Sequence, residues 1–165
     1  VVASHTIQIK NGSEEKSMSW KEFQEGSPEL AAKGFEKLNR KIAYLATIRK
    51  DGSPRLHPIQ AFIDGGMLFT FTEPSSPKVR DLCRDGRYAL HCSVLFEDQP
   101  RIEFLVSGVA EAITDPGVRA RAISFVASSD LTDKYFLFNF HVDNVLVVEY
   151  DLENNPLPRR WRRGG

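Results

Sequence analysis

The run Phe71-Thr72-Glu73-Pro74-Ser75-Ser76-Pro77-Lys78-Val79-Arg80-Asp81-Leu82 gathers hydroxyls, a lysine and an arginine where a strand pattern gives way to a short helix. Just upstream, a second strand pattern carries Arg55-Leu56-His57-Pro58. A hydroxyl-rich turn, Lys78 in a first helical turn and Arg55 on the neighbouring strand suit a phosphate group. Backbone N–H groups and the positive dipole end at a helix start favour an anion there. The chemistry implied is the holding of a phosphorylated cofactor, not of a metal, a nucleophile or a nucleic acid.

Other reactive residue types form no comparable constellation. His5, His91 and His141 are scattered, with no local metal spacing. Cys83 and Cys92, nine positions apart, read as small packed hydrophobes. His57 beside Pro58 reads as a partly buried strand residue in preference to a proton carrier. There is no convincing Ser-His-Asp order, paired carboxylate or Walker-type loop. Lys78 and Arg80 by themselves would be a solvated helix face; with Arg55 and Ser76 at the same turn, phosphate binding is the better reading.

The elements that must position these residues follow from local pattern. Ser19-Trp20-Lys21-Glu22 is a capping box, and Ser27-Pro28-Glu29 opens a second helix ending near Leu38. Phe23, Leu30, Phe35 and Leu38 are the expected buried stripe. From Ile42 the period becomes two, predicting a strand to about residue 49. Asp51-Gly52 turns the chain into a strand from about Arg55 to Ile63, and Asp64-Gly65-Gly66 into a third, Met67 to Thr72. A helix of about Pro77 to Arg84 follows, then strands from Tyr88 to Leu95 and from about Arg101 to Ile113. Gly108 inside that long strand marks a bend or close approach. Thr114-Asp115-Pro116 starts a helix ending near Ser128, and Val145 to Tyr150 is the expected final strand. Phe136-Leu137-Phe138-Asn139-Phe140 reads as core or dimer interface. Three meandering strands before so short a helix predict an antiparallel sheet, closed or nearly closed into a barrel.

Composition sets the class. The 165 residues, 41% hydrophobic and 27% charged, are those of an ordinary globular protein, read as one folding unit. Twenty-two basic residues balance twenty-two acidic ones, so no global field draws the chain to nucleic acid or an anionic membrane. Arg159, Arg160, Arg162 and Arg163 crowd the C-terminal end. No run approaches the roughly 20 apolar residues of a membrane span. The cysteine usage fits a reducing compartment, and the expected location is cytoplasmic.

At this point the chain resembles a known family. Tyr44 through Pro58 resembles the opening hairpin of the pyridoxamine 5′-phosphate oxidase-like, flavin-binding split-barrel family. Phe71-Thr72 through Ser76-Pro77-Lys78 to Leu82 matches its phosphate-binding turn, and Val106-Ser107-Gly108-Val109-Ala110-Glu111 its long strand. The likeness covers roughly residues 40–150 as an ordered series. It implies a mainly β (α+β) fold, a six-stranded antiparallel split β-barrel with short flanking helices. Residues 1–40 would be an N-terminal arm and short helices packed on the barrel. Residues 41–165 would be the FMN-binding split-barrel domain with a C-terminal basic tail.

The resemblance also implies a homodimer with FMN at the interface, acting as an oxidoreductase on a small-molecule substrate or a nicotinamide donor. Arg55 and Lys78 would pair with the phosphate, and Ser76, Thr72 and the Pro77 turn would add donors or shape. The backbone of Leu56, His57 and Pro58 would edge the flavin ring, with Phe71 nearby. Glu103 falls where the family often places an amide facing the flavin, and its charge would disfavour an anionic reduced ring. Trp161 with Arg162 resembles an element that closes over the cofactor. Pro77 stands where the oxidase commonly has a basic residue, so one phosphate contact is missing or is replaced by Arg80 or Arg49. The catalytic residues are not assigned. A deazaflavin or haem in the same fold, or a non-catalytic flavin-binding module, are the alternatives.

Overall fold

A computed structural model describes residues 19–165 apart from Phe96, Asp98, Ser129 and Thr132. The expected N-terminal arm over residues 1–18, with His5, lies outside the described residues. Helix α1 (Trp20–Gly26) begins at the predicted capping box: Ser19 Oγ accepts from the Glu22 N–H, while the Glu22 carboxylate accepts from the Ser19 N–H at 2.6 Å. Helix α2 (Pro28–Leu38) follows, with Pro28 in its first turn. Phe23, Leu30 and Leu38 are buried as expected, and Trp20 with them, but Phe35 is 48% exposed. The buried face of α2 runs Leu30, Ala31, Gly34, Leu38, and Phe35 lies about 100° beyond Gly34. Gly34 is small for a reason: a Cβ there would meet the Phe104 ring at 2.4 Å. The helix thereby seats on the barrel, and both share one core cluster.

Eight strands form one antiparallel sheet in the order β4-β1-β2-β3-β6-β5-β7-β8, with β4 also paired to β5. That extra pairing closes six strands into a barrel and leaves β7 and β8 as an extension of β5, the split-barrel form. Strands β1 (Lys41–Ile48), β2 (Pro54–Asp64) and β3 (Met67–Thr72) make the predicted meander. Gly52, Gly65 and Gly66 take positive φ at its turns. Helix α3 (Pro77–Arg84) leads to β4 (Arg87–Cys92), which stops short of the expected Leu95.

Strand β5 (Ile102–Ala112) is the splice of the fold. Its first half pairs with β7, its middle with β4, and its last residues with β6. At Gly108 a Cβ would lie 2.1 Å from the carbonyl oxygen of His141, so the close approach expected from the lone glycine is real. Asp115 caps α4 (Pro116–Val126) by accepting from the Val118 N–H at 2.7 Å.

Two stretches form strands that the local pattern did not show, the first of them in the core as expected. Phe136–Phe140 is β6, a barrel strand between β3 and β5. Both of its faces are covered, with Phe138 and Phe140 in the main core and Leu137 in a second cluster with Phe62, Phe69 and Ala122. A strand buried on both sides shows no period-two alternation, so it reads as an apolar run. Strand β7 (Asn144–Tyr150) is not the last: Pro156–Arg162 is β8, not a tail, and pairs along all of β7. An edge strand tolerates proline and arginine, which hid it.

Candidate functional site

The site is built where β3 hands over to α3. Thr72 ends β3 and is buried, yet its Oγ1 has no hydrogen-bond partner among the described residues. The turn is tied by the Glu73 carboxylate, which accepts from the Ser75 hydroxyl and from the Ser75 N–H at 3.1 Å, and by the Ser76 N–H donating to the Glu73 carbonyl at 3.0 Å. Ser76 occupies the N-cap position in extended backbone but does not cap with its side chain. Its Oγ instead accepts from Lys78 Nζ at 3.0 Å. Lys78 is partly buried and makes no ion pair among the described residues; burial pushes its ammonium below the ordinary range, against the pull of Glu73. A half-desolvated ammonium whose one side-chain hydrogen bond among the described residues goes to a hydroxyl has donors left over that could meet an anion.

Strand β2 supplies the other wall. Register places Arg55 and His57 on the same face as buried Ile59 and Ala61, while Leu56, Pro58 and Gln60 point outward. Arg55 Nε donates to Asp81 Oδ2 at 2.7 Å. Asp81, on α3, is 3% exposed and also accepts from Thr47 Oγ1 at 3.0 Å and Arg84 at 3.3 Å. Burial opposes its charge, but the hydrogen bonds from Arg55 and Thr47 prevail and hold its carboxyl below the usual range. His57 Nε2 is buried without a partner among the described residues. Burial first, then the charges of Lys78, Arg55 and more weakly Arg49, push its imidazole down, with Asp81 opposing. Arg55 and His57 thus share the inward face of β2, and the charges of both Arg55 and Lys78 act on the His57 ring. Pro77 opens α3 beside them, and Phe71 packs edge-on against Phe69 at 6.1 Å, paired with Leu137.

The remaining residues of the sequence-based site lie elsewhere on the sheet. Glu103, on β5, accepts from the Tyr150 hydroxyl at 2.7 Å. Trp161, on β8, packs its ring 4.9 Å from that of Phe23 in α1, and Arg162 is exposed. Arg162 lines a cavity of about 190 Å³ with Leu105, Ser107, Asn144, Leu146 and Arg160. Within one chain these residues do not join the Arg55–His57–Lys78 cluster. Arg80, a substitute considered for the missing basic residue, is exposed and makes no ion pair among the described residues. Asp81 and Thr47 were missed, because an acidic residue three places after Lys78 looks like any helix surface charge.

The outward face of the sheet is apolar for a solvent surface. Ile42 is 49%, Tyr44 42%, Leu56 66% and Val109 44% exposed. Register sets Tyr44 beside Pro58 and His91, and His91 beside Leu105. Among the described residues no three His, Cys, Asp or Glu side chains gather as metal ligands, and no helix is long and apolar enough to cross a membrane.

The fold defines a split-barrel protein. A family profile described as pyridoxamine 5′-phosphate oxidase matches residues 30–153, and the chain belongs to that family. No curated protein sequence matches the chain. Among solved structures, PhzG from Burkholderia lata 383, in complex with tetrahydrophenazine-1-carboxylic acid, is 15% identical with a TM-score of 0.60, over 87% of each chain. A candidate pyridoxamine 5′-phosphate oxidase from Listeria innocua is 14% identical with a TM-score of 0.60, over 72% of this chain and 98% of that one. A heme binding protein from Mycobacterium smegmatis is 16% identical with a TM-score of 0.59, over 75% of this chain and 53% of that one. This chain therefore spans about half the length of the mycobacterial protein. At such identities the likeness establishes the fold.

Proposed function

We propose that the chain is an FMN-binding flavoprotein, an oxidoreductase working as a homodimer on a small-molecule or nicotinamide donor. The observation that carries this reading is the partly buried Lys78 ammonium, without an ion pair among the described residues, whose charge acts on a His57 ring with no partner for its Nε2 among those residues. A phosphate monoester fits that chemistry. Its oxygens would accept from Lys78, from the free edge of the Arg55 guanidinium and from the orphaned Thr72 hydroxyl. FMN, when bound, supplies two-electron chemistry; the protein holds, orients and tunes it. The outward strand backbone at Leu56–Pro58 would flank the ring and keep water from one side.

The homodimer accounts for the apolar outer face, since a patch of this kind marks an interaction surface. Face-to-face packing would bring Glu103 and Arg162 of one copy toward the Arg55 site of the other, while Trp161, on the inner face of β8 against Phe23, would stay in its own copy. Cys83 and Cys92 are both thiols, not joined by a disulfide, which suits the cytoplasm.

The test is the absorption spectrum of the purified protein with the mass of any heat-released chromophore. Flavin bands and an FMN mass support the reading; a colourless protein that fails to take up added FMN overturns it. The haem reading has one observation in its favour, the unpartnered Nε2 of His57, a nitrogen able to ligate iron. A Soret band lost in His57→Ala would establish it instead.

A further inference from the structure

We infer that Asp81 is a positioning residue for ligand phosphate: it grips Arg55 by its Nε edge so that the Nη edge faces the anion. The inference rests on the phosphate-site reading above. Asp81 and Lys78 stand three residues apart on α3, so they share one helix face. Lys78 reaches the turn, and Asp81 reaches the strands beneath it. Asp81 Oδ2 takes both Arg55 Nε at 2.7 Å and Thr47 Oγ1 at 3.0 Å, which fixes the carboxylate plane from β1 and β2 at once. Its Oδ1 takes Arg84, which also donates to the carbonyl of Ile48.

The charge count explains why this carboxylate does not cancel the site. One buried anion is shared by two guanidiniums, Arg55 and Arg84, and Lys78 adds a third cation against the Glu73 carboxylate of the turn. Excess positive charge remains for a ligand. Among the described residues Arg55 is hydrogen-bonded through Nε alone, and a guanidinium held by that edge presents its remaining donors as a fork. An ion pair between buried groups is weak evidence of stability, whereas fixing a fork matches a bidentate acceptor.

Simple electrostatics predicts the opposite sign from positioning, which makes the test decisive. Deleting a negative charge near the phosphate should tighten binding by Coulomb attraction. Deleting a positioning group should weaken it. FMN and riboflavin are titrated into wild-type, Asp81→Asn, Thr47→Val, Arg55→Ala and Asp81→Asn/Arg55→Ala proteins, with folding checked by circular dichroism. The expected result is FMN binding weakened about tenfold in Asp81→Asn, riboflavin binding unchanged, and a smaller loss of the same kind in Thr47→Val. In the Arg55→Ala background, Asp81→Asn should have no further effect, because it acts through Arg55. Unchanged or tighter FMN binding in Asp81→Asn overturns the inference, as does an equal loss with Arg55 absent. Should Asp81→Asn fail to fold, unchanged FMN binding in Thr47→Val overturns it. A wild-type protein that binds FMN no better than riboflavin removes the phosphate site itself, a distinct failure.

Discussion

The carbonyl oxygen of His141 sits where a side chain on residue 108 would begin, 2.1 Å from the position of a Cβ on Gly108. The His141 N–H donates to Val109 at 3.0 Å and the Asp143 N–H to Ser107 at 2.9 Å, so the β6–β7 connection grips β5 on both sides of the glycine. Tyr88, buried on β4, donates to the same His141 carbonyl at 2.9 Å. The barrel closes through this crossing. Gly108→Ala must push backbone against backbone, and about 3 kcal/mol of stability should be lost, read as a lowered urea midpoint. A midpoint equal to the wild type would show that the crossing yields freely.

Removing the two cations facing the proposed phosphate should separate binding from folding. Hydrogen bonds to charged groups contribute about 1.5–3 kcal/mol each, so Arg55→Ala with Lys78→Ala should weaken FMN binding by roughly 10²–10⁴-fold. Thr47 and Arg84 still hold Asp81, which keeps the helix docked. Calorimetry with FMN and riboflavin reads the effect, and equal losses for both ligands would count against a phosphate contact.

His57 carries a pH signature. Burial, then the Lys78 and Arg55 charges, hold its folded pKa below the ordinary 6.5. As pH falls below about 6.5, the unfolded chain binds the proton first, so stability declines until folded His57 protonates as well. His57→Gln should flatten that acid limb in denaturation curves measured from pH 7.5 to 5 in steps of about half a unit. Inorganic phosphate should raise the His57 pKa in an NMR titration by placing negative charge beside it. A pKa indifferent to phosphate would place the anion elsewhere.

The outer sheet face should govern assembly. Ile42→Glu with Tyr44→Glu alters two exposed positions of β1, so the single chain should lose no more than about 1 kcal/mol. Sedimentation equilibrium should report a dimer for the wild type and a monomer for the variant. A wild-type protein that is monomeric at micromolar concentration would leave the apolar face without its proposed partner.

Much of this protein was legible locally. The capping box at Ser19 and Glu22, the glycine turns at Gly52 and Gly65-Gly66, and the handover from Thr72 to Lys78 are each written in residues a few places apart. Gly108 announced a close approach because a lone glycine in a strand has little other use. Within the candidate site, Arg55, Ser76 and Lys78 were singled out from local chemistry and His57 from the family resemblance; Ser76 and Lys78 meet at the turn, and Arg55 and His57 share one face of β2.

What escaped the sequence depends on partners far along the chain. Alternation in β1 showed a strand, but both of its sides are largely apolar; packing alone chose Ala43, Leu45 and Thr47 for the core and left Ile42 and Tyr44 outside. β6 carried no alternation because helix and barrel cover both faces, and β8 became a strand through hydrogen bonds to β7. Asp81 lies 26 residues from Arg55 and 34 from Thr47, and only the docking of α3 on the barrel turns it from a surface charge into a buried clamp. The sequence determined the elements and the turn, since those rest on short-range sterics and capping. The tertiary structure decided burial and charge pairing, since desolvation and ion pairing depend on which distant segments meet.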